Sequence, residues 1–254
     1  MLRKRVIPCL LMDGGRLIKT YKFQKPKYVG DPINAIRIFN DKEVDELILI
    51  DINASKNKTE PDFKLLEKIS SECFMPLCYG GGINNIDQAK ALFNIGIEKI
   101  CIQTEFIRNP SFVKELSAQF GSQSIVVSVD IKKDFFRNYK VYSSVDRKLL
   151  KIPLIEHLKQ IELLGAGEIL MSSVDNEGTM SGMDTNLIKI GKKASSLPII
   201  ANTGVGSLDH IKEGFEAGAH AIAVGSFFVF HGPHKAVLIT YPNPNEFNNE
   251  IYER

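Results

Sequence analysis

The chain is 254 residues long, 44% apolar and 24% charged, with a formal net charge of +2. That is enough apolar material for a sizeable core in a single domain, and so balanced a charge carries no sustained basic field; a nucleic-acid partner is not implied, whereas phosphorylated small molecules are compatible. No apolar run reaches the roughly 20 residues of a membrane span, and the opening MLRKRVIPCLLMDGG is broken by Pro8 and lacks a small-residue cleavage site, so neither a membrane segment nor a secretory leader is expected.

Taken in chain order, eight short β-branched runs read as strands: RVIPCLL (5–11), LILID (47–51), PLCYG (76–80), KICIQ (99–103), SIVVSVD (124–130), EILMS (168–172), PIIAN (198–202) and AIAVG (221–225). They are continuously apolar rather than alternating, which fits parallel strands covered on both faces. Pro8 counts against the first, because an interior strand seldom tolerates a missing N–H. Helical patterns lie between the runs. Pro61 opens one carrying Phe63, Leu66 and Ile69; Asn109 caps another with Pro110 at its first position and Gly121 as its stop; Ser207 opens a third that ends at Gly218. Residues 12–32, 132–149 and 174–183 lack such a pattern and read as loops after strands 1, 5 and 6. Cys9, Cys73, Cys78 and Cys101 have no C-x-x-C spacing, and three of them fall in apolar segments. They read as free thiols serving as small core residues, suited to a reducing cytoplasm.

The chain also matches itself at a shift of 122: Glu46 with Glu168, Pro76 with Pro198, Gly82 with Gly204, Gly96 with Gly218, and Thr104 with Ser226. Four βα units repeated once are what two fused half-barrels, about 1–122 and 123–254, would leave behind. Alternating elements alone also allow an open doubly wound sheet, but the repeat and the count of eight favour a closed (β/α)8 barrel, an α/β fold in one domain over 1–254.

In such a barrel the residues just after each strand form the active face. Gly80-Gly81-Gly82 follows strand 3 and Gln103-Thr104 follows strand 4; their repeat partners are Asn202-Thr203-Gly204 and Gly225-Ser226. Small residues let backbone N–H groups approach a phosphate, and a hydroxyl adds a donor, so each half offers one phosphate cradle. Asp175-Asn176-Glu177-Gly178-Thr179, after strand 6, is placed to close over the second cradle. Tight βα turns alone would also explain these glycines, although not their recurrence at one shift. Asp130 ends strand 5 directly after an apolar run that desolvates its carboxylate, which makes it the best acid/base candidate. A loop hydrogen bond is the plainer role for a strand-end aspartate. Arg16 and Lys19, in the long loop after strand 1, are cations able to reach over a ligand. His231 and His234 read as surface residues of a Gly-Pro turn, and no metal or other cofactor is expected. Arg5, Glu46, Lys99 and Glu168 stand at the opposite, N-terminal strand ends, two positive and two negative, and suit an ionic ring closing the barrel floor.

The segments RVIPCL, GDP at 30–32, DELILIDI at 45–52, YGGGI, FGSQSIVVSVD, GAGEIL, DNEGT-x-SG and PIIANTGVG together resemble the HisF family, the cyclase subunit of imidazole glycerol phosphate synthase, over nearly the whole chain. The resemblance implies a barrel that binds a two-phosphate ribulosyl substrate, takes ammonia from a HisH-like glutaminase docked beneath as a heterodimer, and releases imidazole glycerol phosphate and the aminoimidazole carboxamide ribotide. It implies Asp130 as a catalytic aspartate. It implies phosphate or substrate contacts at Lys19, Gly82, Gln103, Thr104, Glu177, Gly178, Gly204, Gly225 and Ser226, and an ammonia gate at Arg5, Glu46, Lys99 and Glu168.

Several positions depart from the family pattern. Where the family carries its other catalytic aspartate, in a C-L-D motif ending strand 1, this chain has Cys9-Leu10-Leu11. Ring closure with cleavage needs one group to give a proton while another takes one, and leucine does neither. Asp13 lies two residues on and shares the face of Leu11 if the strand continues. Gln103 stands for an asparagine, Glu177 for an aspartate, and the chain from about residue 232 departs from the family's last helix. CLLMDGG after RVIP looks like a second HisF-like branch, associated with surface-polysaccharide genes, whose members join a HisH-like glutaminase and supply ammonia to a separate amidotransferase acting on a nucleotide-linked acetamido sugar. That branch is the preferred expectation; the histidine-pathway cyclase is the alternative. A single-chain isomerase with the same half-barrel repeat fits less well.

Overall fold

Each of the eight apolar runs is a strand of the computed structural model, which describes residues 4–242. The strands are β1 (Arg5–Asp13), β2 (Leu47–Asp51), β3 (Leu77–Gly80), β4 (Lys99–Ile102), β5 (Ile125–Lys133), β6 (Glu168–Ser173), β7 (Ile199–Asn202) and β8 (Ala221–Val224). All neighbouring pairs are parallel, β5 joins β6, and β8 returns to β1, so the sheet closes into a (β/α)8 barrel. Pro8 is accommodated in β1 at a handover: residues 5–8 pair with β8 and residues 9–12 pair with β2.

The period-2 alternation of each strand divides its side chains between two cores. Ile7, Cys9, Ile48, Cys78, Cys101 and Val126 point into the barrel, where they pack with Leu170, Ile200, Ala221 and Ala223. Their neighbours Val6, Leu47, Leu49, Ile100 and Val127 face outward into the larger core beneath the helices. All four cysteines are free, and the three inside the barrel act as small apolar residues.

The helix signals hold, with one-residue shifts. Asp62 rather than Pro61 caps Phe63–Glu72, accepting from the Leu65 N–H at 3.1 Å. Ser111–Phe120 starts after Pro110, so Asn109 lies just outside it, and the helix stops at Gly121 with φ +83°. Ser207 caps Leu208–Glu216 as expected, accepting from the His210 N–H.

Two of the expected loops are strands. Arg16–Tyr21 pairs antiparallel with β1 and with Gln24–Gly30, and Tyr139–Ser143 pairs antiparallel with the extended end of β5 and with Lys148–Leu149. In the first ribbon Leu17, Ile18, Lys19 and Thr20 are buried, two of them polar, and Gln24–Gly30 is exposed over its first five residues. A continuous apolar run, the mark of a barrel strand, is therefore absent from them. The segment 174–183 remains irregular, as expected. After β8 the described residues form a four-residue helix, Ser226–Val229, and a small hairpin of Phe230–His231 with Ala236–Val237. Tyr241 then donates its hydroxyl to the Val6 carbonyl at 3.0 Å, tying this end to the first strand. Among the described residues no helix is long and apolar enough to cross a membrane.

Candidate active site at the mouth of the barrel

A cavity of about 670 Å³ opens at the C-terminal ends of the strands. Inward alternation along β1 continues beyond Cys9 to Leu11 and Asp13, and both line the cavity. The position of the absent carboxylate therefore does face the site, and Asp13 points inward, one strand step further out.

Asp130 lies on the cavity wall and is only 6% exposed. Burial pushes its carboxyl up to about 7, while hydrogen bonding with Gln103 and Ser144 pulls the other way and the charge of Glu177 adds to the rise. A carboxyl poised near neutrality can both hold and release a proton under ordinary conditions. Ser144 Oγ donates to Gln103 Oε1 at 3.0 Å, so the residue after β4 is oriented by the ribbon that extends β5.

Gly80, Gly81, Gly82 and Thr104 line the same cavity. Gly82 has φ +73°, and a Cβ there would lie 2.6 Å from the Thr59 carbonyl, so only glycine brings this backbone so close to the neighbouring loop. Lys19 and Glu177 also reach the cavity, as a buried ion pair at 2.8 Å. Gly178, Gly204, Gly225 and Ser226, expected at the second cradle, lie outside the lining of this cavity. A Cβ on Gly178 or Gly204 would meet loop backbone and one on Gly225 the Lys19 side chain, so these glycines, like Gly82, mark close approaches; Ser226 is buried and its hydroxyl has no partner among the described residues. Arg16 is exposed in register opposite Asp13 and does not line the cavity. His231 and His234 are exposed in the last hairpin.

Asp51 was not singled out in the sequence, yet its carboxylate lines the cavity. It accepts from the Asn53 and Ala54 N–H groups at 3.1 and 3.0 Å. Burial raises its pKa against those two donors, and the nearby Asp13 charge adds to the rise. The signal was present: LILID ends on an aspartate after an apolar run just as SIVVSVD does. Lys22, Lys25, Lys56, Lys132 and Arg147 also line the cavity, giving its mouth a cationic rim suited to an anionic ligand.

At the other end of the barrel the four predicted charges meet. Arg5 bonds Glu46 and Glu168, each at 2.5 Å, and Lys99 bonds the same two carboxylates at 2.9 and 3.1 Å. Charges alternate around the ring. Burial works against the cations, but Glu46 and Glu168 outweigh it, and the pKa values of Arg5 and Lys99 are raised. Between this ring and the cavity lies the apolar interior that includes Ile7, Cys78, Val126 and Ala221.

The family model for histidine biosynthesis proteins matches residues 5–234, which spans all eight strands. The chain belongs to the histidine biosynthesis protein family. It is 45% identical over 249 residues to a Pseudomonas aeruginosa protein provisionally named imidazole glycerol phosphate synthase subunit hisF2, covering 98% of this chain and 99% of that one. A Leptospira borgpetersenii protein provisionally named as the HisF subunit of the same synthase is 46% identical over 245 residues, 96% of each chain. A Vibrio vulnificus protein provisionally named hisF3 is 45% identical over 251 residues, covering 97% of this chain and 95% of that protein. This member of the histidine biosynthesis family is thus similar, over almost its full length, to second and third HisF-type proteins.

Proposed function

We propose that this chain is the HisF-type subunit of a glutamine amidotransferase complex, working in the cytoplasm, and that it conducts ammonia from a HisH-like glutaminase to an acceptor enzyme. The acceptor we favour is an amidotransferase acting on a nucleotide-linked acetamido sugar for surface polysaccharide. The observation that carries the proposal is the combination of an intact charged ring and apolar interior with a leucine, Leu11, facing the cavity where a lyase of the synthase type needs its second carboxylate.

The chemistry of the interior supports conduction. Neutral ammonia enters an apolar passage at small cost, whereas ammonium must shed its hydration and is strongly disfavoured there. The ring of Arg5, Glu46, Lys99 and Glu168 is electrically balanced, so its cations are committed to their carboxylates and it does not trap ammonia as an ion. The face around the ring exposes Phe74, before β3, and Leu163, before β6, at 84% and 85%; exposed apolar side chains of this size suit a protein partner. At the other end, Asp130 is placed to hold or pass a proton and the cationic rim to attract a phosphorylated ligand. The histidine-pathway cyclase remains the second reading because Asp13 and Asp51 put other carboxylates on the same cavity.

Reconstitution tests the proposal. The purified chain, mixed with a HisH-type glutaminase from the same genome, should form a 1:1 complex on size-exclusion chromatography and raise glutamine hydrolysis by at least about tenfold. Failure of every such glutaminase to bind or respond would remove the ammonia-conducting role.

A further inference from the structure

Two ribbons frame the mouth of the barrel, and both contribute to the cavity lining, the first through residues 22–25 and the second through Lys132, Tyr142 and Ser144. Each is pinned by a carboxylate. Besides its ion pair with Lys19, the Glu177 carboxylate accepts from Thr20 Oγ1 at 2.9 Å and from the Phe23 N–H at 3.1 Å, and its carbonyl accepts from the Lys22 N–H at 2.9 Å. Asp184 holds the second ribbon, accepting from Tyr139 Oη at 2.6 Å and Lys133 Nζ at 2.8 Å while it caps the helix Thr185–Ala194.

Beyond that anchor the second ribbon ends in a turn carrying two adjacent phenylalanines, Phe135 and Phe136, which are 94% and 80% exposed. The turn is closed on itself. The Asp134 N–H donates to the Asn138 carbonyl and the Asn138 N–H to the Asp134 carboxylate, each at 2.9 Å, and Arg137, at φ +64°, donates its N–H to the Asp134 carbonyl at 2.9 Å. The two rings meet edge to face with centroids 5.5 Å apart. Held in water they add nothing to the core, and a turn already fixed loses little freedom when a partner covers it.

The place of the turn indicates what covers it. Phe135 stands three residues from Lys132, about 10 Å along a strand, so a body seated on the phenylalanines reaches a mouth rimmed by Lys22, Lys25, Lys56, Lys132 and Arg147. Ammonia leaving that mouth into water would be protonated and lost as a nucleophile, so a receiving enzyme has to seal against it. A lipid surface fits less well: it calls for a cluster of available cations, whereas at the turn Asp134 stands close to Arg137 and Lys133 is committed to Asp184.

We infer that the acceptor enzyme docks on this face, taking Phe135 and Phe136 into an apolar pocket edged by acidic residues that pair with the cationic rim. The inference rests on the proposed onward transfer of ammonia.

Binding of the full chain, in complex with its HisH-type glutaminase, to the acetamido-sugar amidotransferase of the same genome tests it by biolayer interferometry. The double variant Phe135→Ser with Phe136→Ser, checked for an unchanged melting temperature and unchanged glutaminase binding, should lose at least about tenfold in affinity for the amidotransferase. Raised salt should weaken the parent's binding. Glutamine-driven amidination should fall with the double variant while amidination supported by added ammonium stays the same. A smaller loss of affinity, or parent binding that salt does not weaken, overturns the inference and leaves onward transfer standing. So does a double variant that keeps its amidotransferase affinity and loses instead self-association or binding to phosphatidylserine vesicles. An amidotransferase that does not bind the parent complex at all removes onward transfer and the inference together.

Discussion

Asp130 and Leu11 decide what chemistry the cavity supports. The folded Asp130 carboxyl holds its proton up to about pH 7, whereas an unfolded aspartate loses it near pH 3.9. Below both values the group costs the fold nothing. Between them the folded state binds the extra proton, so stability falls as pH rises, by up to about 1.4 kcal/mol per pH unit. Asp130→Asn should therefore melt at a higher temperature than the parent at pH 8, by an amount worth up to about 4 kcal/mol, with the gap closing toward pH 4; a gap that does not depend on pH would contradict the burial of this charge. Leu11→Asp should place a second carboxylate on the cavity wall and, if the rest of the site is competent, give ammonium-dependent cyclase turnover where the parent has none. No gain would mean that the site has changed more widely than at one residue. Asp130 was legible in the sequence because it ends an apolar run, and Asp51 carried the same signal. The buried ion pair of Lys19 with Glu177 was not legible, because it joins loops after strands 1 and 6 that are far apart in the sequence.

Among the elements, the ribbon Arg16–Tyr21 with Gln24–Gly30 hangs on Glu177. Glu177→Ala should speed amide exchange at Lys22 and Phe23 and open residues 16–30 to proteolysis while the barrel strands keep their protection. Equal loss of protection in β1 through β8 would show that the ribbon is part of the barrel's cooperative unit. The eight barrel strands were readable because burial on both faces forces continuous apolar runs such as LILID and IVVSV. The ribbons were missed because their strands carry polar residues where burial would call for apolar ones, Lys19 and Thr20 among them, and QKPKYVG, exposed over its first five residues, resembles an ordinary polar loop. Pro8 pointed away from a strand; its place at the switch from β8 to β2 was a matter of tertiary pairing that no local signal carries.

For the whole molecule, closure depends on contacts between its two ends and across its floor. The ring joins β1 and β2 to β4 and β6, and Glu46 is only 3% exposed. Glu46→Gln leaves Arg5 and Lys99 with one carboxylate between them and should lower unfolding stability by about 2 kcal/mol, measured by urea titration. A neutral effect would mean that the ring is held open to solvent. The closed barrel itself followed from the strand count and the internal repeat. The proposal for the whole molecule is that it conducts ammonia onward instead of consuming it in a ring closure of its own. Turnover of the phosphoribulosyl carboxamide substrate of imidazole glycerol phosphate synthase by the purified chain, with saturating ammonium at alkaline pH and Asp130→Asn as control, tests that directly: the expected result is a folded protein with no turnover, and turnover that vanishes in the control would contradict it.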